Sequence, residues 1–316
     1  MINGLDFRRL RRWELALAAF AVSAPFLLPV VAPGAPSFVR PAMAQSIEQP
    51  DVSRVVSVGG AVTEIIYALG EEGRLVGRDS TSTYPEAATK LPDVGYMRAL
   101  APEGIIAVNP TAIVAVEGSG PPEALAILKD AKIAFASVPE TYDRASIPAK
   151  IRTVGTFLNV SEKAETLAKS VETDLDAAIA DGAKRPQGER KRVLFILSTQ
   201  GGKIQASGIG TAANGIIELS GAINAAGQFP GYKALSDEAI IEAKPDVILM
   251  MDRGGEHSAK AAELFALPAL SLTPAAKTQS LIRMDGLHLL GFGPRTASAI
   301  RELNAAIYGK KANASQ

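Results

Sequence analysis

The chain contains no cysteine and only two histidines, His257 and His288, in 316 residues. Without cysteine there is no disulfide framework, no thiolate metal site and no lipid-modified cysteine anchor. The two histidines sit in neither a serine-elbow context nor an HExxH spacing, so hydrolase and zinc-protease chemistry lacks its residues. Nor does the pattern bring together the three or four His or carboxylate ligands that a transition metal requires. Charge is equally uninformative in sign: 33 basic residues meet 33 acidic ones, and no nucleic-acid footprint follows. After the N-terminal region no apolar run is long enough to span a bilayer. Gly59-Gly60 and Gly201-Gly202 are short turns after strands rather than a GxGxxG phosphate cradle. What remains is a chain with 47% hydrophobic residues, enough for sizeable cores without disulfides.

The N-terminus reads as an address. Arg8, Arg9, Arg11 and Arg12 precede an apolar stretch from Leu15 to Val31, interrupted at Pro25 and Pro29, and Ala42-Met43-Ala44 offers the small residues of a cleavage site. Residues 1–44 are expected to be a cleaved secretory signal, with a membrane anchor as the alternative that the prolines disfavour. Its removal takes five basic and two acidic residues and leaves 28 against 31, a mildly acidic and soluble mature chain. In a bacterium that chain would be periplasmic.

One phrase occurs twice. Residues 103–114 read EGIIAVNPTAIV and residues 238–249 read EAIIEAKPDVIL. In each copy a short helix starts near the glutamate, a proline ends it, and a β-branched run forms a buried strand. Solenoid repeats recur every ~20–50 residues, so this wider spacing indicates two similar lobes instead. A looser echo, residues 63–70 (TEIIYALG) against 214–221 (NGIIELSG), extends the likeness. Around these copies, strands are expected at Arg54 to Val58, Leu75 to Gly77 and Arg192 to Leu197, and helices from Thr63 and Thr211. Such alternation implies parallel α/β architecture. Between the copies, Ser161 to Ala180 carries Leu167, Val171, Leu175 and Ile179 every fourth residue without Gly or Pro, the pattern of one long helix. The expected divisions are a first lobe at 45–158, a connecting helix at 159–182, a second lobe at 183–310 and a tail at 311–316.

The loop Asp79-Ser-Thr-Ser-Thr-Tyr84-Pro85 is crowded with hydroxyls and follows a strand end. Tyr84 there is either packed over its loop or offers a hard anionic oxygen to ferric iron. A guanidinium nearby would support the second role, and Arg78 and Arg98 are the candidates in this lobe. His257 follows a strand, where α/β sheets bind ligands. His288, among Leu287, Leu289 and Leu290, reads as structural.

Three segments, VVSVGGAVTEIIYALG, GRDSTSTYPEAATKLPDVGYMRALAPEGI and RMDGLHLLGFGPR, resemble the periplasmic haem-binding proteins of bacterial haem ABC importers. The resemblance covers nearly the whole mature chain, and its middle segment is the most specific. It implies an α/β fold of two Rossmann-like lobes joined by a single long rigid helix, with haem held between the lobes and its iron on Tyr84. Haem is then a transported ligand. The resemblance also implies that Glu103 and Glu238 dock on arginines of an ABC permease dimer, although both glutamates also suit a helix N-terminus electrostatically. Lys233 falls where some relatives place an arginine, and Tyr232 and Met284 are further candidates for the pocket wall. Relatives that bind two haems use a histidine from the middle of the chain; none is present here, which favours one haem. The chain is expected to act as a monomer, to catalyse nothing, and to receive haem downstream of an outer-membrane receptor. The nearest alternative is the same scaffold carrying cobalamin or a ferric siderophore. A periplasmic α/β enzyme is the alternative from another class, disfavoured by the shortage of histidine and cysteine.

Overall fold

Apolar stretches of four or five residues make the first sheet: β1 (Val55–Val58), β2 (Leu75–Arg78), β3 (Ala112–Val116) and β4 (Ala134–Val138), all parallel in the order β2-β1-β3-β4. β1 and β3 are buried along their whole length, as central strands covered on both faces must be. The connecting helices are α1 (Gly60–Ala68), α2 (Pro102–Ile106), α3 (Pro122–Asp130) and α4 (Ser146–Phe157). This computed structural model describes residues 49–252 and 261–309; the expected signal segment, His257 and the tail lie outside them.

α1 begins at Gly60, three residues before the expected start at Thr63. The reason is that its first turn is not capped by its own side chains. The amide of Gly59 donates to Asp79 and that of Gly60 to Thr81, both from the loop after β2. Thr63 is therefore an interior residue, fully buried.

The long helix α5 (Ser161–Ala183) follows. Its buried row is Ala164, Ala168, Val171, Leu175, Ala178 and Gly182, so the predicted Leu167 and Ile179 flank the seam instead of filling it. Small residues let neighbouring helices approach closely. A Cβ on Gly182 would lie 2.7 Å from the carbonyl oxygen of Ser220, so a side chain has no room where the last turn of the helix meets that backbone. Arg144 pairs with Asp176 at 2.6 Å, Arg152 with Glu165 at 2.6 Å and Lys163 with Glu71 at 2.6 Å, tying α5 to the first sheet's layer. Each exposed pair stabilises little on its own, by about 0.2–1 kcal/mol, but together they restrain the helix.

The second sheet contains β5 (Arg192–Ser198), β6 (Ile204–Ser207), β7 (Ile223–Asn224), β8 (Tyr232–Leu235), β9 (Val247–Asp252) and β10 (Leu281–Asp285). Its helices are α6 (Ala212–Leu219), α7 (Asp237–Ala243), α8 (Ala261–Phe265), α9 (Pro268–Ser271), α10 (Pro274–Lys277), α11 (Gly286–Leu290) and α12 (Thr296–Tyr308). The strand order is β10-β9-β5-β6-β8, with β7 beside the start of β5. This sheet is mixed rather than parallel. The chain turns back between β5 and β6 through Gly201 and Gly202, so β6 and β8 run antiparallel to their neighbours.

The repeated phrase is repeated in three dimensions. Glu103 is the second residue of α2 and Glu238 the second of α7; Ile105 and Ile240 are both fully buried beneath them. The residue before each proline has a positive φ, 50° at Asn109 and 44° at Lys244. Val55 lies opposite Ala112, and Val193 opposite Val247, which is the same register in both lobes. Even the strand-leading arginines agree: Arg54 donates to the Val108 carbonyl and Arg192 to that of Ala243, the matching position, each at 2.7 Å.

One apolar cluster runs from the first sheet through α1, α4 and α5 to β5, β9 and β10, while separate clusters fill the outer layer of each sheet. A continuous inner core resists large relative motion of the sheets, because close-packed interiors transmit displacement instead of absorbing it.

Candidate functional site

The loop after β2 is built around Asp79, which is fully buried. One carboxylate accepts from the amide of Gly59 at 2.9 Å, the amide of Thr81 at 3.0 Å, and the hydroxyls of Thr81 and Ser82, each at 2.7 Å. A hydroxyl has one hydrogen to give. Ser82 spends its own on Asp79, so Thr63 must donate to Ser82 and Ser57 to Thr63, over 2.7 and 2.6 Å. The hydroxyl-rich sequence is thus a directed chain of bonds from β1 to the loop. Gly60 completes the fit: a Cβ there would meet Leu287 at 2.4 Å and the Thr81 carbonyl at 2.8 Å.

This scaffold presents Tyr84 with 43% of its surface exposed. Behind the ring stands Arg295, whose guanidinium carbon is 3.5 Å from the ring centroid. Arg295 was not among the residues singled out from sequence. Its signal was present, at the end of the RMDGLHLLGFGPR segment, but nothing local says which side chain it reaches. Arg295 pairs with Glu64 of α1 at 3.0 Å and contacts His288 Nδ1 at 3.2 Å. Thr83, Tyr84, Asp285, His288, Arg295 and Glu302 line a corner of about 310 Å3. His288, read from its apolar neighbours as structural, is thus also part of the wall of this corner.

The other predicted residues divide. Arg78 is committed to Asp93, 2.8 Å away, and so braces the loop rather than backing Tyr84. The 93–98 segment runs alongside, joined through Ser80 to Gly95 at 2.9 Å, and carries the exposed Tyr96 and Arg98. Arg98 acts electrostatically on Tyr232 of the second lobe and on Tyr142 and Glu140. Tyr232 is 38% exposed, yet burial raises its pKa, against a lowering hydrogen bond with Ser207 and the charge of Arg98. Lys233 is exposed on the edge strand β8, and Met284 is packed in the inner core with 3% exposure. Glu140 pairs with the fully buried Lys150, which also donates to the Phe292 carbonyl at 3.3 Å. Burial pushes Glu140 up and draws Lys150 down.

Glu103 and Glu238 lie away from this corner, exposed in the first turns of their helices. The Glu238 carboxyl is held below its usual pKa by its own backbone amide and by Ser236. Among the described residues no cluster of His, Asp and Glu could hold a metal ion, and no helix is long and apolar enough to cross a membrane.

Comparison with known proteins agrees with this architecture. The solved periplasmic heme-binding protein BhuT, in complex with two hemes, superposes with a TM-score of 0.77 at 38% identity, over 80% of this chain and 97% of that one. The Bacillus subtilis (strain 168) uncharacterized ABC transporter substrate-binding lipoprotein YvrC is 30% identical across 81% of this chain and 80% of its own length. The vitamin B12-binding protein of Pectobacterium carotovorum is 27% identical across 79% of this chain and 89% of its own. Residues 55–286 match the model of the periplasmic binding protein family. Its two like lobes, the helix between them and this match identify the chain as a member of the periplasmic binding protein family.

Proposed function

We propose that the chain is a periplasmic substrate-binding protein that captures ferric haem on Tyr84 and delivers it to an ABC permease through Glu103 and Glu238, without catalysing a reaction. The observation that carries this reading is Tyr84 itself. An exposed phenol on a loop fixed by a buried carboxylate is a preorganised oxygen ligand, and phenolate oxygen suits Fe(III). The likeness to BhuT supports haem as the cargo. The corner beside Tyr84, at about 310 Å3, is small among ligand pockets of ~300–1,000 Å3, so the macrocycle would lie partly open between the lobes. Tyr96 and Tyr232, exposed by 45% and 38%, offer aromatic surface for its faces, and Arg98 offers charge for a propionate.

The test is titration of purified mature protein with haemin. A high-spin ferric spectrum with a tyrosinate-to-iron charge-transfer band, saturating at one haem per chain, is the expected result. Saturation at two would contradict the single-haem reading, and no spectral change would remove haem as cargo. The vitamin B12-binding relative gives a second reading its basis, the same cleft holding a corrinoid. Cobalamin that displaces haemin stoichiometrically would favour it.

For delivery, the matched placement of Glu103 and Glu238 on repeated helices suits a partner with two-fold symmetry, because a dimer presents the same surface twice. The paired substitution Glu103→Ala with Glu238→Ala is expected to lower permease-coupled haem uptake by about tenfold, equivalent to about 1.4 kcal/mol of docking energy. Haemin affinity should stay within about twofold of the parent. Loss of haemin binding instead would place the glutamates in the pocket.

A further inference from the structure

Arg295 is gripped from several sides at once. Glu64 is nearly buried, and its two oxygens take both the side chain of Arg295, at 3.0 Å, and its backbone amide, at 3.1 Å. The His288 contact fixes a second edge of the guanidinium, 3.2 Å from Nδ1. A guanidinium only donates, so Nδ1 is the acceptor and Nε2 carries its hydrogen toward Glu302, 3.2 Å away. Nε of Arg295 is buried with no hydrogen-bond partner. What the placement achieves is stacking on Tyr84, a contact that strengthens as water is excluded from the cation.

We propose that Arg295 is a positioning residue for the Tyr84 ligand. Its guanidinium covers one face of the phenol ring and keeps the ring from turning back onto its loop. The cargo can then meet the hydroxyl only from the side facing the open cleft. Glu64, from α1, and His288, from α11, hold the arginine in that plane, so the ligand's orientation depends on residues from both ends of the chain. Lysine could supply the charge but not the flat surface. The inference builds on the reading of Tyr84 as the ligand.

Three variants test it: Arg295→Gln, Arg295→Lys, and the pair Glu64→Gln with Arg295→Gln, which removes both charges so that no carboxylate is left buried alone. In cargo-free protein labelled with 3-fluorotyrosine, the Tyr84 fluorine resonance is assigned by its loss in Tyr84→Phe. It is expected to shift and broaden in all three variants; an unchanged resonance in the paired variant overturns the proposal whatever the cargo. With haemin bound, release to an excess of apo-globin is expected to be roughly tenfold faster in the two glutamine variants and roughly threefold faster with lysine, the range of a partly desolvated cation–π contact. Repeated in a Tyr84→Phe background, the same substitutions are expected to change release by less than about twofold, because their route is through the phenol oxygen that the ring positions. Equal acceleration in both backgrounds would show that Arg295 acts on the fold or on the cargo directly, and would sink the proposal. Failure of the parent protein to take up haemin would remove the cargo reading alone, leaving the fluorine spectrum to decide Arg295.

Discussion

Tyr84→Phe is expected to lower haemin affinity by about 100-fold, about 2.7 kcal/mol, and to abolish the tyrosinate-to-iron charge-transfer band. The substitution deletes one oxygen and leaves the ring in place. Its stacking partner Arg295, 3.5 Å from the ring centroid, remains, and the loop is held by Asp79 rather than by the phenol. The protein should therefore fold as before, with a melting temperature close to that of the parent. Residual binding should persist, because a large apolar ligand still gains from leaving water against aromatic walls. The informative outcome is spectroscopic. A variant that binds haemin weakly with a water-like ferric spectrum fits the ligand role; one that retains both affinity and band assigns the iron bond elsewhere. Among the described tyrosines, Tyr96 and Tyr232 are exposed in the same region and would be next to examine.

What could be seen in the sequence was what is local. The helix–proline–strand phrase is written in twelve consecutive residues, so the two copies predicted matching lobes, and the structure repeats them down to strand register. Tyr84 was visible for the same reason: its loop carries its own hydroxyls and its own buried acid. Arg295 was not, because it lies 231 residues from Glu64 and its partners are set by tertiary packing alone. Sequence proximity pointed to Arg78 instead, but the neighbouring Asp93 takes that charge. His288, read as structural from its flanking leucines, also lines the corner and contacts Arg295, a placement that tertiary packing sets and the local sequence does not show. The seam of α5 misled in another way. Spacing favoured the larger Leu167 and Ile179, whereas close helix contact selected the alanines beside them. The hairpin that mixes the second sheet hinges on two glycines that read equally well as a turn into a helix.

The largest stability effect should come from Asp79→Ala. Asp79 is the acceptor on which the loop converges, and its loss leaves the amides of Gly59 and Thr81 and the hydroxyl of Ser82 facing an apolar methyl. A buried group stranded without a partner costs about 1–3 kcal/mol, so losing several together, with partial rearrangement, should cost roughly 3–5 kcal/mol. For a domain of this size that corresponds to a fall in melting temperature of roughly 6–12 °C. Haemin affinity should fall with it, because the turn that points Tyr84 outward is the same turn that Asp79 ties to the start of α1. Asp79→Asn separates the two effects. Its carbonyl keeps one acceptor, but its amide points hydrogens at donors that need none, so it should recover part of the stability and less of the binding. Differential scanning calorimetry and haemin titration on both variants check this ordering. If Asp79→Ala melts with the parent protein and binds haemin equally well, the loop is held by its backbone alone, and the hydroxyl chain from Ser57 to Ser82 is a consequence of the fold rather than what organises the site.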